Sequence, residues 1–139
     1  MSVAEKTKVF VDSNVVLYLL SGDAAKADRA EALLRHRPTI SVQVLNEVTS
    51  VCVRKLGMAW LEVGQFLELV RSLCHPTVVP LTVEVHDMGR RIAERYGLAF
   101  YDACIVAAAS IEGCHSLYTE DMHHGLIIED SLTLRNPFA

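Results

Sequence analysis

Lys8-Val9-Phe10-Val11-Asp12-Ser13-Asn14-Val15-Val16-Leu17 sets the reading of the whole chain. Its β-branched and aromatic start suits a strand, and its Asp-Ser-Asn centre suits a turn. The apolar residues that follow, through Leu19 and Leu20 to a stop at Gly22, suit a helix. A strand that ends on an acid and passes straight into a helix carries that acid at its carboxyl end. In open α/β sheets ligands bind in the crevice beyond those ends, so Asp12 is the first candidate functional residue.

The same alternation continues along the chain. Residues 24–35 carry Ala27, Ala30, Leu33 and Leu34 at helical spacing ahead of Pro38. Residues 39–41 form a brief strand candidate feeding a helix that Ser41 caps and Gly57 stops, with Val44, Leu45, Val48, Val51 and Cys52 on one arc. Residues 60–73 repeat the amphipathic pattern, and Trp60, Phe66 and Tyr101 are expected in the core. Residues 77–81 read as a strand, and Thr82 as the cap of a helix closed by Gly97. Residues 101–112 are apolar nearly all round, which marks a buried helix, and residues 116–119 read as a strand. Residues 126–128 and 132–134 are short apolar segments, either of which can be a final edge strand. Short apolar strands between helices of about ten residues or more predict an α/β fold: a three-layer α/β/α sandwich with a central, mostly parallel sheet, formed by residues 1–139 as a single domain.

Composition narrows the function classes. The chain has 139 residues, 51% hydrophobic and 22% charged, enough apolar surface to offset ordering entropy and exclude a mostly disordered chain. The longest near-apolar stretch, residues 103–111, is far short of the roughly 20 residues that span a bilayer, so no membrane helix is expected. The first six residues lack the zones of a secretion signal, which points to the cytoplasm. A net charge of −4 is not the footprint of bulk electrostatic binding to nucleic acid, so any such chemistry must be local. Cys52, Cys74, Cys104 and Cys114 form no Cys-x-x-Cys pair and are expected to be buried reduced thiols.

Three further acids join Asp12. Asp121 follows the 116–119 strand with one residue between, Asp102 falls in the first turn of the apolar helix, and Glu47 lies at the border of the apolar arc after Ser41. Four carboxylates on one edge repel each other unless a cation neutralises them, and oxygen-only ligands favour Mg²⁺ or Mn²⁺. Such an ion needs few protein ligands and can activate a water against a phosphodiester. Each acid also has a bland reading: helix cap for Asp12, dipole partner for Asp102, solvated charge for Glu47 and turn former for Asp121.

The stretches around Asp12-Ser13-Asn14, Ser41 to Glu47, Tyr101-Asp102-Ala103 and Thr119-Glu120-Asp121, in that order, resemble the four acidic motifs of PIN-domain nucleases. The ending Arg135-Asn136-Pro137-Phe138 is similar to the close of many VapC-type toxins of bacterial toxin-antitoxin pairs. The resemblance covers essentially the whole chain. It implies Mg²⁺- or Mn²⁺-dependent cleavage of RNA, a homodimer, and inhibition by a small cognate antitoxin. It also implies that Asp12 and Asp102 are the principal metal-contacting acids, with Glu47 and Asp121 beside them and Ser13, Asn14 and Thr119 in support. The Thr-x-Asp spacing selects Asp121 over Glu120.

Two rivals belong to other classes. A haloacid-dehalogenase-like phosphatase also begins with an Asp at the end of strand one, but it wants a second Asp where this chain has Asn14. A non-catalytic PIN-like binding module has no use for four mutually repelling acids. His123 and His124 flank the site and are expected to be exposed. Tyr18 and Tyr118 are candidates for stacking a base.

Overall fold

A computed structural model describes residues 8–139. Residues 1–7, which include the stretch read above for a secretion signal, lie outside the described residues. In chain order the elements are β1 (Val9–Val11), α1 (Ser13–Leu17) running into a 3₁₀ turn (Tyr18–Leu20), α2 (Ala24–Leu34), α3 (Val42–Arg54), α4 (Trp60–Leu73), α5 (Val83–Tyr96), α6 (Phe100–Ile111), β2 (Ser116–Tyr118), β3 (Ile127–Ile128) and β4 (Leu132–Arg135). The sheet order is β1-β2-β4-β3, with β1/β2 and β2/β4 parallel and β3/β4 antiparallel. Beyond β1, single parallel bridges add Thr39 against Phe10 and Val79 against Ser41.

The mostly parallel sheet is buried on both faces. Neighbouring residues of a strand point to opposite faces, and Phe10 and Val11 are both fully inaccessible, so layers cover each side. Fully buried Ile40, Val44, Val48, Ile92, Ile105, Leu117 and Leu134 fill the space between sheet and helices. The caps read from the sequence form: the hydroxyls of Ser41 and Thr82 accept the backbone N–H of Val44 and Val85, and Gly97 ends α5 in the left-handed region at φ 70°. All four cysteines are free and buried.

The structure departs from the sequence reading at named places. Trp60 and Tyr101 are not core residues: they are 70% and 66% exposed, because each stands in the first turn of its helix, ahead of the face that meets the core. Phe66 is buried as expected. The helix after Asp12 is only five residues long before it tightens into the 3₁₀ turn. Residues 77–81 make one bridge, at Val79, rather than a strand. Both C-terminal segments are strands; β4 lies inside the sheet and β3 forms its edge. Glu129 and Asp130, at φ 49° and 58°, turn the chain between them, and the Ser131 N–H closes the turn onto the Ile128 carbonyl at 3.0 Å.

Helices α5 and α6 pack tightly where Gly89 faces Cys104. A Cβ built on Gly89 stands 2.8 Å from the Cys104 Sγ and 3.3 Å from its Cα, so both a buried side chain and a helix backbone would have to move. Gly64, on α4, meets nothing within 4 Å. Gly89→Ala is expected to lower unfolding stability by about 1–2 kcal/mol in spite of its gain in helix propensity, whereas Gly64→Ala is expected to raise it by up to about 1 kcal/mol. Urea titration of the two variants checks the opposite signs.

Candidate functional site

Parallel pairing of β1 with β2 places Val11 beside Tyr118, so the residues that follow these strands, Asp12 and Thr119, emerge together. The Asp12 N–H donates to the Tyr118 carbonyl at 2.9 Å, continuing the ladder one step past the strand. Asp12 is buried, with 2% exposure, and its carboxylate is held from three sides. The Ser13 N–H donates to Oδ1 at 2.6 Å, the Thr119 hydroxyl to Oδ2 at 2.7 Å, and the Asn14 amide to Oδ2 at 3.4 Å. The first of these is also the N-cap bond of α1, so the bland and functional readings of Asp12 meet in one geometry.

Asn14 and Thr119 lock the strand ends to each other. The Asn14 Nδ2 donates to the Thr119 Oγ1 at 3.3 Å, and its Oδ1 accepts the Glu120 N–H at 3.2 Å. Thr119 Oγ1 also accepts the Asp121 N–H at 3.3 Å. Asn14 therefore works as a two-ended spacer, a task a carboxylate, lacking donors, cannot perform. This is the position at which a dehalogenase-like phosphatase requires an acid.

Helix α3 leaves the sheet at Ser41, and its second turn brings half-buried Glu47 beside α1. Glu47 accepts the Ser13 hydroxyl on Oε1 at 2.9 Å and the Gln43 amide on Oε2 at 3.0 Å. Gln43 was not singled out from the sequence, although its i, i+4 relation to Glu47 was legible. Helix α6 runs from Asp102 in its first turn to a far end where the Glu112 carbonyl accepts Lys8 Nζ at 2.8 Å, beside the start of β1. Half-buried Asp102 therefore sits at the same sheet edge as Asp12, and its carboxyl group takes no hydrogen bond among the described residues. Asp121 is exposed at the rim.

Two of the four acids, Asp12 and Asp102, are raised, in part by their acidic neighbours. Burial, less the hydrogen bonds from Thr119 and Ser13, raises Asp12 to about 6, with the charges of Glu47 and Asp102 adding to the rise. Asp102 is also raised, first by burial and then by Glu47 and Asp121. Among the described residues no salt bridge reaches any of the four. Nor do three or more His, Cys, Asp or Glu side chains form a ready-made ligand cage. The oxygen-only donors of these acids match the chemistry of a hard divalent cation rather than that of a structural zinc site.

Glu120 is outside this set. Its carboxylate accepts Lys26 Nζ at 2.8 Å and the Tyr18 hydroxyl, and these contacts hold it below its ordinary range. Tyr18 is thereby engaged, with its ring edge against Phe138 at 4.7 Å. His123 and His124 are exposed, and the His124 Nδ1 accepts the Asn136 N–H at 2.8 Å, a contact that fastens the C-terminal segment.

Asp12 gives the metal-free protein a pH dependence opposite to that of most carboxylates. Its folded-state value of about 6 lies above the ordinary 3.8, so the folded state holds the proton more tightly than the unfolded chain. The stability this contributes is complete below about pH 4 and is lost as pH rises through about 6, an effect on the order of 3 kcal/mol. In urea titrations without divalent ions, the stability of wild type minus that of Asp12→Asn should fall by about that amount between pH 4 and pH 7. The hydrogen bonds changed by the amide offset this difference by a constant, and the slope belongs to the titration. Asp102→Asn removes a charge without removing a hydrogen bond, and should stabilise the metal-free protein at neutral pH by about 1 kcal/mol.

No curated protein sequence matches this chain at a significant level. Solved structures share its fold. A toxin-antitoxin complex from Klebsiella pneumoniae contains a chain with a TM-score of 0.68 and 19% identity, covering 94% of this chain and 98% of that one. FitAcB from Neisseria gonorrhoeae gives a TM-score of 0.64 at 16% identity, with coverage of 94% and 98%. VapC20 from Mycobacterium tuberculosis, described as a sarcin-ricin loop cleaving toxin, gives 0.63 at 18% identity, with coverage of 79% and 87%. The PIN domain profile matches residues 9–125, from the first residue of β1 through the loop that carries Asp121, and the chain belongs to the PIN domain family.

Proposed function

We propose that this protein is a metal-dependent endoribonuclease, the toxin of a type II toxin-antitoxin pair, hydrolysing RNA phosphodiester bonds at Asp12, Glu47, Asp102 and Asp121. The observation that carries the reading is a buried Asp12, held by Ser13, Asn14 and Thr119 and raised by burial and by the nearby acids Glu47 and Asp102, in a PIN-domain chain. A protein that only bound a partner would gain nothing from this repulsion. Asp12 and Asp102 would hold Mg²⁺ or Mn²⁺, with Glu47 and Asp121 at its flanks. The ion, when bound, supplies an activated water and charge stabilisation at the scissile phosphate. The chain's own part is to hold four charges ready: Thr119 and Ser13 orient the Asp12 oxygens, Gln43 and Ser13 orient Glu47, and Asn14 keeps the turn of Asp121 against β1.

The similar folds of a chain in a toxin-antitoxin complex and of one described as a toxin support the toxin role and a small antitoxin as partner. An antitoxin that inhibits directly would present an Arg or Lys to this edge, its charge replacing that of the ion. Exposed Trp60, Leu61, Leu81 and Val83 provide apolar surface for a homodimer. A toxin that cleaves the cell's own RNA would act in the cytoplasm.

Purified protein is expected to cleave RNA with Mg²⁺ or Mn²⁺ and to stop on addition of a chelator. Asp12→Asn should lose about 10²-fold or more of the rate. Cleavage that persists undiminished in Asp12→Asn belongs to another nuclease and removes the assignment. Sedimentation at micromolar concentration should show a dimer.

A further inference from the structure

We propose that Lys26, on α2, is a positioning residue for the acidic site, acting through Glu120 on the turn that carries Thr119 and Asp121; this rests on the nuclease reading above. Lys26 Nζ donates to the Glu120 Oε2 at 2.8 Å and to the Tyr18 hydroxyl at 3.0 Å. It also stands 4.8 Å from the centroid of the Tyr18 ring and 5.6 Å from that of Phe138. The ammonium group is thus shared among a carboxylate, a hydroxyl and two aromatic rings, from three parts of the chain far apart in sequence. The ion pair is partly shielded, with the Lys26 and Glu120 side chains 36% and 26% exposed. Arg29, one turn further along α2, donates to the Pro137 carbonyl at 3.2 Å and holds the C-terminal segment over the same helix.

Glu120 is the middle residue of the Thr119–Asp121 turn, and both its ends are engaged. Its N–H donates to Asn14, which in turn donates to Asp12 and Thr119, and its carboxylate is held by Lys26 and Tyr18. A continuous chain of hydrogen bonds therefore runs from the buried Asp12 to the Lys26 ammonium. With Glu120 engaged by Lys26 and Tyr18, Asp121 is the acid of this turn that no salt bridge reaches among the described residues. Without Lys26, Glu120 becomes a fifth unpaired carboxylate next to Asp121, and the turn loses its outer anchor.

Two consequences of losing Lys26 have opposite signs on metal affinity, and the experiment separates them. An added free negative charge attracts a cation, whereas a mispositioned Asp121 weakens its hold. Mn²⁺ binding by electron paramagnetic resonance on the full-length protein, with kcat and KM for RNA cleavage, is measured for wild type, Lys26→Met, Lys26→Arg, Glu120→Gln and the Lys26→Met/Glu120→Gln pair. Lys26→Met and Glu120→Gln should each weaken Mn²⁺ binding by about fivefold to tenfold, with kcat falling in parallel and KM for RNA steady within about twofold. Lys26→Arg should restore binding, and the pair should be no worse than the weaker single variant. Metal-free thermal midpoints, with Lys26→Gln as a milder change, keep loss of fold apart from loss of positioning. Opposite effects of Lys26→Met and Glu120→Gln would reduce Lys26 to a charge neutraliser and overturn the proposal. Unchanged Mn²⁺ binding, or a raised KM alone, would overturn it too, the latter marking Lys26 as a direct RNA contact. A wild type that binds no Mn²⁺ would instead remove the nuclease reading beneath it.

Discussion

Asp12 is a buried carboxylate at the end of a buried strand, with no salt bridge to it among the described residues, and the surrounding structure is arranged around that charge. Burial of an unpaired carboxylate costs several kcal/mol unless hydrogen bonds replace the lost water. Here they come locally from the Ser13 backbone and the Asn14 amide, and across the sheet from the Thr119 hydroxyl, which is available only because β1 and β2 are paired in parallel and in register. A slip of one residue in that pairing would remove Thr119 from Asp12. The register of the sheet and the chemistry of the site are therefore one constraint.

The compensation is incomplete, which is the useful outcome. Hydrogen bonds oppose the rise of Asp12 without cancelling it, and Glu47 and Asp102 press it further. A fully satisfied carboxylate would have little to gain from a metal ion. A fully exposed one would bind it weakly, because water screens the attraction. The site lies between these limits, with Asp12 buried, Glu47 and Asp102 half-buried and Asp121 at the rim. That gradient in exposure runs from the buried end of β1 outward to solvent.

Much of this was legible because it depends on local chemistry. The run from Lys8 to Leu17, the caps at Ser41 and Thr82 and the stop at Gly97 are short-range signals, and each forms as read. The pairing of β1 with β2 that sets Asp12 beside Thr119 likewise follows from short apolar runs ending on polar residues. What the sequence could not supply is pairing across distance. The Lys26–Glu120 contact spans 94 residues, and Tyr18 and Phe138 meet from nearly opposite ends of the chain. Trp60 and Tyr101 misled because hydrophobicity does not say where a helix's first turn stands relative to the core. The turn at Glu129 and Asp130 was hidden because both adopt left-handed backbone without the glycine that usually announces it.

The composition of the site follows from counting its charges. Placing Asn rather than Asp at position 14 keeps a fifth carboxylate out of the buried centre while supplying the donor that Thr119 and Asp12 both use. At position 120 the chain does carry a fifth acid, and there the solution differs: Lys26 and Tyr18 turn it outward and neutralise it. An amide serves the buried position because an ion pair there would have to repay the desolvation of both partners. A salt bridge serves the rim because water and the two aromatic rings accommodate the ammonium at small cost. The local charge is thus limited to four carboxylates by two different means, each suited to its depth.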